Sequence, residues 1–581
     1  MRKISTHNLK FLLLIPLSII IMSCSKQETV TIKIFETSDV HGAIFPYDFN
    51  TDKEVDHSLA QLMTYIKQER ANKEQEVILL DNGDILQGQP IVYYSNFVKT
   101  KQEHICAKVM NYMGYDAATV GNHDIEAGHD VYDKLVHEFD FPWMAANAMK
   151  EDGTTYFQPY HIIKRKGFKI AILSLITPAI PNWLPEQIWS GMEYSDMLES
   201  ASDWMEILQK NEKPDLIIGL FHSGLDYTNN NQDEHTYKNE NAVELVAQKV
   251  AGFDIIFAGH DHQAVNKFIE GPNKKSVLIL DPDNSAKFMA EATIVFTYNE
   301  DSKEYEKEIS GNLIASNNFI ADSAFMATFQ SDFEEVKSFV STKIGIFSKS
   351  IDSKESFFGP AAFTDLIHKI QLEITNADIS FTAPLSYNSV IDSGEIYIRD
   401  MFRLYKYENL LYTMSLSGQE IKDALEYAYG LRFDVMKKRK DHLMLFEDKE
   451  NEKLRLKNAF YNFESAAGIQ YTVDVTKEIG HRVQILSLTD KRIFDPTETY
   501  QVAINSYRGQ GGGGHLTIGS GIQKDSLADR ILTSTEVDLR YLVMKWIEEN
   551  SPVNPETLNN WKVIPEKYGE AGKKLDWDIL F

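Results

Sequence analysis

Cysteine is nearly missing from this chain: there are two in 581 residues, Cys24 and Cys106. So small a number excludes a disulfide framework and a thiolate-rich structural zinc site. Basic residues are short as well, with 59 Lys plus Arg against 85 Asp plus Glu and a formal charge of -26. Nucleic-acid polymers are held through basic surface that neutralises phosphates, so a polymer is excluded as the main partner. Small phosphates stay open, because bound metal ions can supply positive charge locally. Beyond the N-terminus no apolar run approaches the ~20 residues of a transmembrane helix, and no repeat of solenoid period occurs. The remainder, 43% hydrophobic and 25% charged, is globular in composition and too long for one core, so at least two domains are expected.

At the N-terminus Arg2, Lys3 and Lys10 precede an apolar stretch from Phe11 to Met22. It is too short to span a bilayer comfortably. It ends at Ile21-Met-Ser-Cys24 and turns polar at once. Residues 1–24 resemble a bacterial lipoprotein signal, although Met22 stands where a small residue is usual. The resemblance implies lipidation of Cys24, an anchor rather than a span, and an extracytoplasmic place in the periplasm or at the outer membrane. Simple secretion and an uncleaved anchor are the alternatives. With Cys24 lipidated, Cys106 has no intrachain partner. A monomer is expected.

From Thr31 to about Tyr298, short apolar runs alternate with polar, helix-like segments. Thr31–Thr37 alternates as a strand, Ser58–Ala71 has helical spacing, and Val77–Leu80 is the next strand. Further strands are expected at Ala118–Val120, Trp143–Asn147, Lys169–Leu175, Leu216–Phe221 and Ile255–Ala258. This alternation argues for an α/β domain over residues 30–320. Phe329, Phe333, Val336 and Val340 predict one amphipathic helix from Ala324 to Ile346, a connector across residues 321–349. A second domain is expected over 350–581, with helices near Ala361–Ile374 and Gly418–Tyr429. Its strands are expected at Leu411–Ser417, Ile469–Val475 and Tyr500–Asn505, with a solvated charged loop from Asp434 to Leu456.

Five segments share one pattern, an apolar run with metal-competent side chains at its C-terminal end. They are Asp39-Val-His41-Gly, Gly83-Asp84, Gly121-Asn122-His123-Asp124, His222-Ser-Gly and Gly259-His260-Asp-His262. Alternation puts Asp39 and His41 on one face of the backbone. Taken singly, Asp84 terminates a strand as many aspartates do, and a lone histidine is usually structural. Five such coincidences, each with glycine beside the ligand so that backbone and metal can approach, point to a metal site. Imidazole and carboxylate without sulfur suit zinc, manganese or iron and argue against calcium.

Asp-x-His, Gly-Asp, Gly-Asn-His-Asp, His and Gly-His-x-His, in this order, resemble the calcineurin-like metallophosphoesterase superfamily. The resemblance implies four layers, two central sheets flanked by helices, around two divalent ions. One would take Asp39, His41, Asp84 and His262, the other Asp84, Asn122, His222 and His260, with Asp84 bridging. It also implies that His123 stabilises the phosphoryl group and protonates the leaving oxygen, oriented by Glu126 or Asp124.

In the second domain, Tyr407 and the run Asn505-Ser-Tyr507-Arg508-Gly-Gln-Gly511-Gly512-Gly513-Gly514 are candidates for substrate contact. Aromatic rings on loops can sandwich a base, and glycines let backbone amides reach a ligand. Without a Gly-Lys-Ser/Thr ending the run is no P-loop, and on the residues alone Tyr407 and Tyr507 read as packing before contact, since tyrosines are abundant here. The arrangement resembles the C-terminal domain of the bacterial 5′-nucleotidase family, where paired aromatics grip the base. Tyr461-Asn-Phe463, Ala467 to Asp474, Asn505-Ser-Tyr-Arg and Asn559-Asn-Trp-Lys562 are most similar to its 2′,3′-cyclic-nucleotide 2′-phosphodiesterase/3′-nucleotidase branch. The Gly-Gly-Ile-Arg motif of true 5′-nucleotidases is absent; Thr382-Ala-Pro-Leu stands near its expected place. The implied substrates are small nucleotides. A 5′-nucleotidase, a nucleotide-sugar hydrolase and a non-catalytic nucleotide-binding lipoprotein are the rivals.

Overall fold

The alternating segment near the N-terminus becomes strand Thr29–Thr37, third in a six-stranded sheet. The computed structural model describes residues 29–229, 232–447 and 454–581, so the leader and Cys24 lie outside the described residues. In sheet order the strands are Glu304–Ala315, Phe288–Asn299, Thr29–Thr37, Gln75–Asp81, Ala117–Thr119 and Trp143–Met144. Thr29–Thr37 runs parallel to Gln75–Asp81, with Ile34 opposite Ile78. A second six-stranded sheet is ordered Ala264–Glu270, Ser276–Pro282, Ile255–Phe257, Leu216–His222, Phe168–Ile176 and Tyr160–Arg165. Its four middle strands are parallel.

Buried parallel strands read as continuous apolar runs because both faces are covered. Leu216–His222 is buried at every position. Ile34, Ile78, Leu80, Ile172, Ile218 and Phe257 fill the space between the two sheets. Helices cover the outer faces through separate apolar clusters, one around Leu62, Ile66 and Val109, the other around Met197, Val243 and Val246. Four layers result, as expected. Helix Leu59–Ala71 starts where the sequence predicts, with the Gln61 amide donating to Ser58 Oγ at 3.3 Å.

The expected helix from Ala324 to Ile346 is instead two helices and a strand. Ser323–Thr328 is capped by Asp322 and breaks at Phe329 (φ -102°, ψ 12°); Gln330–Val340 follows, and Lys343–Phe347 pairs antiparallel with Gly394–Tyr397. The helical period persists across the break because Phe325, Phe329, Val336 and Val340 all enter the first domain's core. It ends where Ile344-Gly-Ile-Phe begins to alternate. These helices therefore belong to the first core rather than spanning a gap.

The second domain is built on a five-stranded sheet ordered Ser465–Ala467, Ile379–Thr382, Thr499–Asn505, Leu410–Ser417 and Ile531–Asp538. Helix Gly418–Arg432 opens on a reciprocal cap between Ser417 and Glu420. The charged loop after Asp434 is less free than its composition suggests. Asp576, on helix Glu566–Leu580, accepts the Leu443 and Met444 amides at 2.8 Å each and draws both side chains into the core. The two domains meet at Arg540, whose guanidinium lies 4.2 Å from the Phe402 ring and 5.0 Å from the Tyr93 ring. Tyr93, from the first domain, donates to Asp538 Oδ2 at 3.2 Å. Among the described residues, no helix is long and apolar enough to cross a membrane.

Candidate metal centre and nucleotide cleft

Strands Thr29–Thr37, Gln75–Asp81 and Ala117–Thr119 from one sheet, and Leu216–His222 and Ile255–Phe257 from the other, deliver the candidate ligands at or just past their carboxyl ends. Ligands collect at such edges in open α/β sheets. Asp39, His41, Asp84, His260 and His262 all have positive φ, between 49° and 76°. L-residues reach this region only when surrounding contacts fix it. Here the Asp39 amide donates to Gly83 O at 3.0 Å, the His41 amide to Asp84 O at 3.1 Å, and the Ser285 amide to Asp39 O at 2.8 Å. Two glycines make the crowding tolerable. A Cβ on Gly121 would sit 2.2 Å from Asp84 Oδ1, and one on Gly259 would sit 2.1 Å from Ser38 Oγ and 2.8 Å from Asp39 Oδ2.

The side chains converge as two clusters, Asp39–His41–His262 and Asp84–His222–His260, each with its donor atoms within 4.8 Å of one another. Asn122 joins the second: its Oδ1 lies 3.1 Å from His222 Nε2 and 2.8 Å from His260 Nδ1. Asp84 Oδ2 is 3.2 Å from His222 Nε2, while Oδ1 accepts the His123 amide at 2.8 Å.

This donor set fits divalent cations. His41 gives its Nδ1 proton to Gln87 O at 2.9 Å, which leaves Nε2 a bare lone pair 3.1 Å from His262 Nε2. Asp39 Oδ1 is buried without a hydrogen-bond partner and lies 3.3 Å from His262 Nε2. A single proton on His262 Nε2 can serve only one of the two acceptors that face it, His41 Nε2 at 3.1 Å and Asp39 Oδ1 at 3.3 Å, whereas a divalent cation at that point would draw on all three donor atoms. Burial pulls the His41 pKa down to about 4 and so keeps this ligand neutral. Burial also opposes charge on His222, yet Asp84 and Asp39 outweigh it and raise its pKa to about 10. The negative potential that does this attracts a cation equally.

His123 stands beside both clusters. Glu126 Oε2 is 2.5 Å from its Nδ1, which leaves Nε2 for a substrate. Burial disfavours the imidazolium, but Asp84 and Glu126 more than offset it and the pKa rises to about 9. Asp124, the other carboxylate considered as an orienting partner, does not fill that role. It turns inward and accepts four amides: Ile85 and Leu86 on Oδ1 at 2.9 and 3.0 Å, Asp84 and Gly121 on Oδ2 at 2.9 and 2.7 Å.

In the second domain Tyr407 and Tyr507 lie near one another, with Tyr461, which no local sequence signal marks as a contact, beside them. The Tyr407 and Tyr461 rings meet edge-on at 6.4 Å. Burial raises all three phenol pKa values, that of Tyr507 to about 12. First-domain charges contribute, Glu126 at Tyr407 and Glu240 at Tyr461 and Tyr507, so the three phenols lie within electrostatic reach of the first domain's candidate site.

Arg508 is corrected from substrate contact to internal buckle. It is 1% exposed, with Nε 2.8 Å from Glu464 Oε1, Nη1 2.5 Å from Gly512 O and Nη2 3.0 Å from Tyr461 O. The glycines serve that packing: a Cβ on Gly513 would fall 2.0 Å from Arg508 Nη1, and one on Gly512 2.7 Å from the Tyr507 ring. Gly511 has φ +98° and opens the turn.

Residues 32–264 match the calcineurin-like phosphoesterase family and residues 339–518 the C-terminal domain of 5′-nucleotidases. The chain is 27% identical over 598 residues to the trifunctional nucleotide phosphoesterase protein YfkN of Bacillus subtilis, covering 92% of this chain but only 39% of that relative's length. It is 23% identical to a 2′,3′-cyclic-nucleotide 2′-phosphodiesterase/3′-nucleotidase of Yersinia enterocolitica, over 93% of this chain and 89% of that one. Its fold is shared with a putative 5′-nucleotidase from Staphylococcus aureus at TM-score 0.75 and 21% identity, covering 92% of this chain and 99% of that one. The chain therefore joins a calcineurin-like phosphoesterase domain to a 5′-nucleotidase C-terminal domain, the pairing that the sequence resemblance implies.

Proposed function

We propose that this chain opens 2′,3′-cyclic nucleotides and then removes the 3′-phosphate, releasing nucleosides outside the cytoplasm. The pair of facing donor clusters supports a two-metal hydrolase, with Asp39, His41, Asp84 and His262 on one ion and Asp84, Asn122, His222 and His260 on the other. Zinc, manganese or iron suits this sulfur-free set. The observation that carries the substrate reading is in the second domain. The Gly-Gly-Ile-Arg motif of 5′-nucleotidases is absent; near its expected place strand Ile379–Thr382 runs into Ala-Pro-Leu385, and Arg508 is spent inside the fold.

Divalent ions at such a site lower the pKa of a bound water and neutralise phosphoryl oxygens. The chain's own residues supply the rest. Tyr407, Tyr461 and Tyr507 offer rings to the base, worth about 1–3 kcal/mol per stacked base, and so hold the phosphate over the clusters. Glu126 holds His123 by Nδ1 and aims Nε2–H at the leaving oxygen. That proton goes first to the ribose 2′-oxygen as the cyclic ester opens, and in a second turnover to the 3′-oxygen as phosphate departs. The nucleophile is water, so no covalent enzyme intermediate forms.

A panel of 2′,3′-cyclic AMP, 3′-AMP and 5′-AMP with metal analysis tests this: the first two should turn over and 5′-AMP should lag. Preference for 5′-AMP would favour a 5′-nucleotidase or nucleotide-sugar hydrolase, and no turnover with manganese or zinc would favour a binding lipoprotein. Anchoring at Cys24 is tested separately by fatty-acid labelling, which Cys24→Ala should abolish.

A further inference from the structure

Each ligand histidine of a metal site needs an acceptor on its far nitrogen to fix tautomer and ring plane. For His41 that acceptor is Gln87 O at 2.9 Å, and for His222 it is Asn82 O at 2.6 Å; both are backbone carbonyls. His260 is different. Its Nδ1 faces the cluster, and its Nε2 lies 3.2 Å from a side-chain carboxylate, Glu240 Oε1. The Trp183 ring stacks on the same imidazole, with centroids 5.6 Å apart and planes 27° apart.

We infer that Glu240 is a positioning residue that holds His260 in its ligating tautomer and sets how tightly that side of the centre binds its cation. This rests on reading Asp84, His222 and His260 as a cation site. A carboxylate accepting the Nε2 proton makes Nδ1 more basic than a neutral carbonyl does, and fixes the ring plane together with Trp183. The backbone of Glu240 has anchors of its own. Thr177 and Ser223 hydroxyls already donate to Glu240 O at 3.0 and 2.8 Å, and Gln232 Oε1 accepts the Glu240 amide at 3.3 Å. Its side chain keeps 22% of its exposure, so truncation there leaves no sealed void. The residue sits 20 positions before His260, in a polar stretch that composition alone reads as surface loop.

The full chain, stripped of metal and titrated with Zn²⁺ against a chromophoric chelator in the absence of substrate, tests the inference. Wild type should take two equivalents. Glu240→Ala should keep the metal-free melting temperature and one tight equivalent, and bind the other about 10–100-fold more weakly, the usual cost of losing such a partner. Glu240→Gln, which still accepts the Nε2 proton but without charge, should recover part of that loss. Two equivalents of unchanged affinity in Glu240→Ala would overturn the role of Glu240 alone. Failure of wild type to bind two would overturn the cation site itself, and the inference with it.

Discussion

Replacing Asp84 by Asn tests whether one buried carboxylate serves both clusters. Asp84 is 1% exposed, with Oδ1 taking the His123 amide at 2.8 Å and Oδ2 3.2 Å from His222 Nε2. Asn keeps the shape and an acceptor for that amide while removing the charge. Asp84→Ala would also orphan the His123 N–H, about 1–3 kcal/mol of lost stability unrelated to metal, so Asn is the cleaner change. At a free metal concentration 100 times each dissociation constant, one bound ion stabilises the fold by about 2.7 kcal/mol and two by about 5.4 kcal/mol. The unfolding entropy is about 2.1 cal/mol/K per residue, or about 0.65 kcal/mol/K for a first domain of roughly 310 residues. Metal should therefore raise the wild-type melting temperature by about 8 °C. In Asp84→Asn nearly all of that shift should vanish, whereas His262→Ala, which touches one cluster, should keep about half. Differential scanning calorimetry with and without metal, alongside metal counting, reads both. If Asp84→Asn kept two metals per chain and the full shift, the bridging assignment would be wrong.

Glu126→Ala should leave metal content and KM near wild type and lower kcat about a hundredfold, because an acid without its orienting partner delivers its proton poorly; unchanged kcat in steady-state assays would remove the dyad from the mechanism. Tyr461→Ala should raise KM for nucleotides about 5- to 150-fold, the equivalent of ~1–3 kcal/mol of stacking, and leave p-nitrophenyl phosphate turnover unaltered. Burial holds His104 and His368 at pKa values of about 3 in the fold against 6.5 for an exposed imidazole. Both are neutral when folded, so the unfolded chain binds more protons between these limits; stability is full above pH 6.5 and falls as pH drops towards 3. Urea midpoints should follow that slope, and His368→Gln should flatten it; a slope identical to wild type would refute the assignment.

The residues that cluster as candidate ligands were legible because each segment is local: a strand, then a metal-competent side chain, with glycine beside it. What closes the site was not. The acceptors for His41 and His222 are backbone carbonyls 46 and 140 positions away, which no side-chain pattern can announce. Glu240 hides in a polar stretch for the same reason, since its meaning depends on loop 232–242 folding back beside His260. Arg508 misled in the opposite sense. An arginine next to a tyrosine and a glycine run looks like a ligand contact until its donors are counted against Glu464, Gly512, Tyr461 and Asn462. The break at Phe329 was invisible because the apolar period runs straight through it.

Asp124 shows how the fold keeps the site in place without touching substrate or metal. Five ligand residues sit at positive φ, each a departure that costs on the order of 1–3 kcal/mol and persists only where contacts impose it. Asp124 is 0% exposed and divides four amides between two oxygens, clamping the Asp84 turn to the start of helix Asn122–Glu126. That helix carries Asn122, His123 and Glu126, so one carboxylate registers a candidate metal ligand against the proposed acid and its partner. Asp124→Asn can satisfy only one of the two amide pairs; its NH₂ would face N–H donors on the other side. Two buried amides without acceptors should lower stability by about 2–6 kcal/mol and weaken metal binding, although the residue is no ligand. Chemical denaturation of the metal-free protein reads the first effect and zinc titration the second. Full metal affinity in a folded Asp124→Asn protein would mean that the Asp84 turn holds its conformation unaided.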